Sequence, residues 1–452
     1  MNINVYIPNT FIEERKYTLK VLFAYFKGVS IDIHSSDETK NYTFEFPGGK
    51  KLIIEDAFWS RLTRNDTYTE KTPKPTLAES YELKIAEESL KFISLYGSPE
   101  YNFDNQQNLT IHSDFIASSF FMLSRWEEYV SNSKDEHGRF PDNESFAVQN
   151  GFNERPIVNE YIEILKSIIE FFENTKIDYN RNYEVFVTHD VDEIFYLSPF
   201  KNFIRALAIN LVYDKSLKLF FKTITNWWAS ISNKNKDPFH TFDYLMDISE
   251  KNGLTSYFYF IPGKKGEVDF RYSIDKKYVR KIIDNIVKRN HIVGIHPSYS
   301  TFKNQKQLNT ELQRLKSVCV NQEITEGRQH FLRFSLPETL QDWNTIGLQT
   351  DSSLGYSKNI GFRCGICYTF PVFDIEKRKE LNLLERPLTV MEVALKKKIQ
   401  DIDSFNSDVI KLAKIVKHYQ GDFVLLWHNS NLSINPWKVL GMNYSTLIKK
   451  IK

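Results

Sequence analysis

Residues 183–192, Tyr-Glu-Val-Phe-Val-Thr-His-Asp-Val-Asp, decide the fold. Val185–Thr188 is a short run of β-branched and aromatic residues that reads as a buried strand, and it stops at His189-Asp190. From there the chain alternates. A helix-rich stretch, 200–232, precedes a helix over Phe242–Asn252, a strand over Ser256–Ile261 and a helix over Tyr278–Arg289. A strand at Ile292–Ile295, a helix at Thr310–Val320, a strand at His330–Phe334 and a helix at Glu338–Ile346 follow. Helix Val409–Tyr419 feeds a last strand, Phe423–Leu426. Such alternation predicts parallel strands joined by right-handed crossovers, an α/β barrel or a doubly wound sheet.

Upstream the rhythm differs. Lys51–Glu55 reads as a strand entered from a Pro-Gly-Gly turn, and residues 114–130 have helical spacing with Asp114 as N-cap. Asn159–Thr175 is a clear amphipathic helix. The change of rhythm predicts a smaller α/β domain over 1–150, a connecting helix over 151–180 and the α/β domain over 181–452. No sequence repeat marks either boundary.

Composition excludes several classes. Fifty-nine Lys and Arg against 57 Asp and Glu leave no cationic field for phosphate backbones, so no nucleic-acid partner is expected. No run of 18 apolar residues exists and the first residues lack a basic-then-apolar leader, which predicts a cytoplasmic protein without stable membrane insertion. Three cysteines, Cys319, Cys364 and Cys367, are too few for a disulfide framework. Cys364-Gly365-Ile366-Cys367 has no second pair with which to build a zinc ribbon.

Chemically capable residues gather just after the strands. Asp190 and Asp192 follow the first, His296 follows Ile292–Ile295, and Arg328, His330 and Arg333 lie on or beside another. His428 follows Phe423–Leu426. Strand ends of one polarity converge on one rim, where such folds place their sites. Two carboxylates at alternate positions of a persisting strand share a side, and their mutual repulsion suits a metal or acid–base role. Taken singly, each has a structural alternative: Asp190 as a helix cap, His296 or His428 as a satisfied core histidine.

Four ordered strings resemble the motifs of polysaccharide deacetylases, carbohydrate esterases of the NodB-homology fold, over roughly 183–432. They are Thr188-His189-Asp190-Val191-Asp192, His296-Pro297-Ser298-Tyr299-Ser300, Arg328-Gln329-His330-Phe331-Leu332-Arg333 and Leu425-Leu426-Trp427-His428. Ser124-Arg125-Trp126-Glu127-Glu128-Tyr129, Gly361-Phe362-Arg363-Cys364-Gly365 and Trp427-His428-Asn429 resemble a Bacteroidetes-type branch with an extra N-terminal domain. The resemblance implies a distorted (β/α) barrel and one divalent metal, zinc before other transition metals. It also implies hydrolysis that removes an acetyl or similar acyl group from an amino sugar or glycan. Position by position, Asp190 matches the general base, His428 the general acid and His296 a metal ligand, with Arg328 or Arg333 orienting the base.

Two departures from the family pattern matter. The paired aspartates are separated by Val191, which assigns Asp192 to the metal. Ser300 stands where the second ligand histidine is usual, and a hydroxyl is a poor zinc ligand, so His330 is the expected substitute. Arg363, Asp351 and Trp427 are assigned to the substrate, and Trp227-Trp228 to a helix packed on the barrel. Two alternatives stand beside the deacetylase reading: a hydrolase of a non-sugar C–N bond, and a catalytically silent glycan-binding protein of surface polysaccharide assembly.

Overall fold

The computed structural model describes the 452-residue chain apart from residues 64–67, 70, 76–78, 86, 198–199, 214 and 264–271. Its larger sheet has nine strands: β1 (Glu184–Val191), β2 (Ser256–Phe260), β3 (Ile292–Ile295), β4 (Glu326–Gly327), β5 (Thr350–Asp351), β6 (Phe370–Asp374), β7 (Lys379–Glu385), β8 (Val390–Met391) and β9 (Asp422–Leu426). The order across the sheet is β6-β7-β5-β4-β3-β2-β1-β9-β8. All neighbours run parallel except β6 against β7.

Helices Phe242–Lys251, Lys277–Lys288 and Ile402–His418 pack on this sheet, and Lys438–Ile451 packs against the first and last of them. In Lys277–Lys288 the buried Val279, Ile282, Ile283 and Ile286 form one stripe at helical spacing, which is why this segment packs as a helix. β9 is buried along its whole length, as a parallel strand covered on both faces must be. The architecture is therefore mixed α/β. The described pairings leave β6 and β8 as opposite edges of an open sheet, and a closed barrel is not among them.

One expected strand is displaced. Pairing takes place at Glu326–Gly327, and His330–Phe334 turns away through a 3₁₀ segment with Phe331 and Leu332 at positive φ. Left-handed backbone cannot continue a strand, so residues beyond Arg328 curl over the sheet's end. The β6–β7 hairpin and β8 were not anticipated from the sequence.

The smaller sheet lies in residues 2–113 and runs in the order Ser30–Ser36, Asn2–Pro8, Tyr42–Glu45, Lys51–Ile54, Leu109–Ser113, Gly97–Phe103. Asp114 caps helix Phe115–Ser124 by accepting from the Ala117 N–H at 2.9 Å. It also takes the N–H groups of Ala57 and Phe58, so one buried carboxylate joins the helix to a loop. The expected single helix over 114–130 breaks at Arg125, where φ is +52°. The amphipathic helix spans Ile157–Glu173.

A continuous apolar core joins the two sheets. Helices Ile12–Phe23 and Phe115–Ser124 lie against β6, with Phe373 meeting Tyr17 at 5.0 Å and Phe120 at 5.3 Å between ring centroids. The Tyr17 hydroxyl donates to the Pro371 carbonyl at 2.8 Å. An exposed edge strand invites pairing with another chain; here two helices cover it. Among the described residues no helix is long and apolar enough to cross a membrane.

Gly327 sets how closely β3 and β4 approach. A Cβ there would sit 1.9 Å from the Ile295 carbonyl oxygen, a backbone atom that cannot swing aside. Gly327→Ala is expected to cost about 1–3 kcal/mol or more by overpacking. Thermal unfolding checks this, and a melting temperature equal to that of the parent would refute it.

Candidate metal centre and pocket

Asp190 lies near the end of β1 and pairs in register with Tyr259 of β2. Both Asp190 and the guanidinium that serves it are buried: Arg328 Nη1 donates to Asp190 Oδ1 at 2.9 Å and to Thr188 Oγ1 at 3.0 Å. The rest of the guanidinium is used by Ser352, through its carbonyl at 2.8 Å and its hydroxyl at 2.9 Å. Arg328 thus holds the Asp190 carboxylate in one orientation.

Beside it, Asp192, His296 and His330 each offer a ligand atom within 4.8 Å of the others. His296 Nε2 lies 3.3 Å from Asp192 Oδ1, and His330 Nε2 lies 3.5 Å from the same oxygen. That oxygen is buried without a hydrogen bond. His296 Nδ1 sits 2.6 Å from the Arg328 carbonyl, which can only accept, so Nδ1 carries the proton and the Nε2 lone pair faces the cluster. This is how a metal-ligating imidazole is held. Burial raises the Asp192 pKa, but His330, His296 and His428 outweigh it and hold the carboxyl well below its usual range.

His428 closes the opposite side, its Nε2 at 3.7 Å from Asp192 Oδ2. Its Nδ1 meets Glu392 Oε1 at 2.7 Å, and the same oxygen accepts from the His428 N–H and from Asn431 Nδ2. Burial lowers the proton affinity of the imidazole, yet Glu392, with Asp192 and Asp190 behind it, pushes its pKa up to about 10. This environment favours the protonated imidazole, with Nε2 turned to the cluster. Glu392 was missed in the sequence: it stands 36 residues from His428, and no local pattern links Met391-Glu392-Val393 to chemistry.

Asp190, Asp192, His296, His330 and His428 line a pocket of about 360 Å³, with Arg328 and Glu392 behind them. Its far wall contains His137 and Arg139, which also escaped notice. The turn that carries them is written locally. Asp135 Oδ1 accepts the N–H groups of His137 and Arg139, Gly138 takes φ +73°, and the Arg139 guanidinium folds back on Asp135 while donating to the Phe331 carbonyl. An Asp-x-x-Gly turn is visible in a sequence; its destination 192 residues away is not. Lys358 completes the rim, its N–H held by Asp142 Oδ2 at 2.7 Å.

Several expected residues lie elsewhere. Ser300 is exposed and bonded to Gln307 and Ser298, outside the ligand cluster. Arg333 donates to the carbonyls of His137 and Tyr299 and stacks on the rings of Tyr299 and Phe302; it clamps the rim and does not reach an aspartate. Arg363 makes a buried two-point pair with Glu128 (2.8 and 2.6 Å) and donates to the Gly355 carbonyl, so it is held within the core and away from the pocket. Trp427 is buried against Phe405 and Tyr444 with its N–H on the Asn431 carbonyl. Asp351 is buried behind Arg328 and in register with Glu385. Burial, opposed by Ser353 and Arg328, pushes its pKa up to about 7. None of these lines the pocket. His189 points away from Asp190, with Nδ1 on the Trp427 carbonyl. All three cysteines are free and buried, and burial raises the Cys364 and Cys367 thiols far from reactivity.

Comparison with known proteins places part of the chain. Residues 3–174 match a family of unknown function (DUF7033). No curated protein matches the chain. Thirteen chains of known structure match, among them a Mycobacterium smegmatis protein described as a "putative polysaccharide deacetylase". It is 15% identical over 59% of this chain and 83% of that one, with a TM-score of 0.34.

The Glu392–His428 pair makes a direct prediction for the metal-free protein. Glu392→Gln removes the largest influence that keeps the imidazole protonated, so the His428 titration moves downward from about 10. NMR titration of the ring protons reads this, and an unmoved midpoint would show that Glu392 does not set it.

Proposed function

We propose that this pocket is the active site of a metal-dependent hydrolase of the polysaccharide deacetylase type, removing an acetyl or similar acyl group from an amino sugar or glycan. One observation carries the reading. A carboxylate oriented by a buried arginine and an imidazolium held by a buried glutamate flank the same Asp-His-His cluster.

Asp192, His296 and His330 would hold the ion, and two imidazoles with one carboxylate suit zinc. The orphaned Asp192 Oδ1 and the inward Nε2 of His296 fit that role. Such an ion, when bound, polarises the acyl carbonyl and makes a water easier to deprotonate. Asp190 takes the proton of the attacking water, and Arg328 keeps its lone pairs aimed while it does so. His428 gives its Nε2 proton to the departing nitrogen, leaving an amine and a carboxylic acid. Glu392 stabilises the charged imidazole before transfer. Because His330 offers a second imidazole, Ser300 in the usual ligand position does not by itself favour a silent glycan-binding role.

Two measurements test this. Zinc is expected to raise the melting temperature of dialysed protein, and His296→Ala to abolish the rise. Acetate release from N-acetylated amino-sugar oligomers by metal-loaded protein should fall about 10²–10⁴-fold in Asp190→Asn and in His428→Ala. Release that is absent from the parent on every such sugar, but present on cyclic ureides or formamides, would assign the site to the non-sugar alternative. No zinc-dependent shift and no release on either class would reject the enzyme.

A further inference from the structure

Between β1 and helix Phe242–Lys251 the chain makes a helical hairpin, Phe200–Val212 and Leu217–Ser232. Its inner side is well built. Phe203 stacks on Trp227 at 4.3 Å, and Asn210 Nδ2 donates across the hairpin to Thr223 Oγ1 at 2.7 Å. Its outer side is bare. Ten of the sixteen exposed large hydrophobic side chains among the described residues fall between 200 and 231. So much apolar exposure in one element marks a contact surface.

The bare residues follow the helical repeat. Leu217, Phe221, Trp228 and Ile231 are at steps of four, seven and three along the second helix, and Phe200, Ile204 and Leu211 do the same along the first. The tip is most open, with Tyr213 82% exposed and Val212 65% exposed. Here the expectation that Trp227-Trp228 packs on the larger domain is corrected: Trp227 packs within the hairpin, and Trp228 is 61% exposed.

Charge distinguishes the occupant. Residues 200–232 contain five Lys or Arg and one acidic residue. Arg205, Lys218 and Lys222 directly follow the stripe residues Ile204, Leu217 and Phe221, and among the described residues none of the three makes an ion pair. A second copy docking through a twofold axis would set these cations against one another without counter-charge. An anionic bilayer accepts both features, with apolar and aromatic side chains at the acyl boundary and Lys and Arg among the headgroups. The helices are too short and polar to span.

We propose that this hairpin is a membrane-surface anchor that docks the protein on anionic phospholipid. Its stem joins it to the pocket. Asp237 accepts the N–H groups of Tyr196 and Leu197, closing the base of the hairpin. Asn429, next to His428, donates to the carbonyls of Glu193 and Phe239 on the two sides of the stem. Docking would therefore tether the segment that carries His428 to the membrane. The anchor does not depend on the reaction proposed above.

Co-sedimentation of the full chain with vesicles tests it. Binding is expected to equimolar phosphatidylglycerol–phosphatidylcholine, to weaken at least tenfold when phosphatidylglycerol is left out, and to weaken as salt is raised. Lys218→Glu with Lys222→Glu should lower binding by a similar factor. Phe221→Ser with Trp228→Ser should abolish it with an unchanged melting curve, since these side chains support no core. On binding, tryptophan emission should shift to the blue, and Trp228→Phe should remove most of the shift. No binding to anionic vesicles, or equal binding by the parent and both double variants, would overturn the proposal. So would a dimer in sedimentation that dissolves in Phe221→Ser with Trp228→Ser and is unaffected by vesicles, which would assign the surface to a second copy.

Discussion

Arg328 carries a permanent charge with none of its surface exposed, and everything around the pocket is arranged to meet it. Moving such an ion out of water costs several kcal/mol even after relaxation, and losing one partner of a buried pair costs about 3–5 kcal/mol. Thr188 and Asp190 on β1 and Ser352 after β5 supply the acceptors, so the guanidinium bridges two strands that are not neighbours in the sheet. Tyr259 of β2 lies beneath it, 5.2 Å from ring centre to guanidinium carbon. The buried Asp351 and Glu385 stand further back, where burial favours their protonated forms. The carboxylate bonded to this cation is Asp190, the one that faces the pocket.

The sequence was informative where chemistry and periodicity coincide. β3 and β9 were placed within a residue and β1 at its start, although β1 runs three residues past Thr188, because a buried parallel strand is a continuous apolar run. Asp190, Asp192, His296 and His428 follow those runs directly, so the convergence of their ends was legible. β4 was not: it is two residues long, and the apparent strand after it is broken by the backbone of Phe331 and Leu332. That same break carries His330 beside His296, at 4.9 Å between ring centres. His330 was identified from its company, and its geometry came from an irregularity that no pattern displays.

The misassigned residues share a cause. Arg363, Arg333 and Trp427 looked functional because of residue type, yet the two arginines are satisfied by partners 235 and 196 residues away, and the Trp427 N–H by the Asn431 carbonyl. Glu392, His137 and Arg139 looked ordinary for the converse reason. Their importance lies in where long-range packing delivers them. The stretch before residue 174 sits on the β6 edge and sends one turn across to the pocket, so a fold boundary drawn from rhythm alone divides a wall of the site from its floor.

Residue 328 also divides its labour between main chain and side chain. Its carbonyl fixes which nitrogen of His296 is free, and its guanidinium aims Asp190. The carbonyl belongs to the backbone at the end of β4 and is present whatever residue stands there. The orientation of the His296 ring is therefore inherited from the sheet, and that of the Asp190 carboxylate depends on one side chain. A substitution at residue 328 would take away the second and keep the first, so the His296 ring would stay fixed while Asp190 lost its partner.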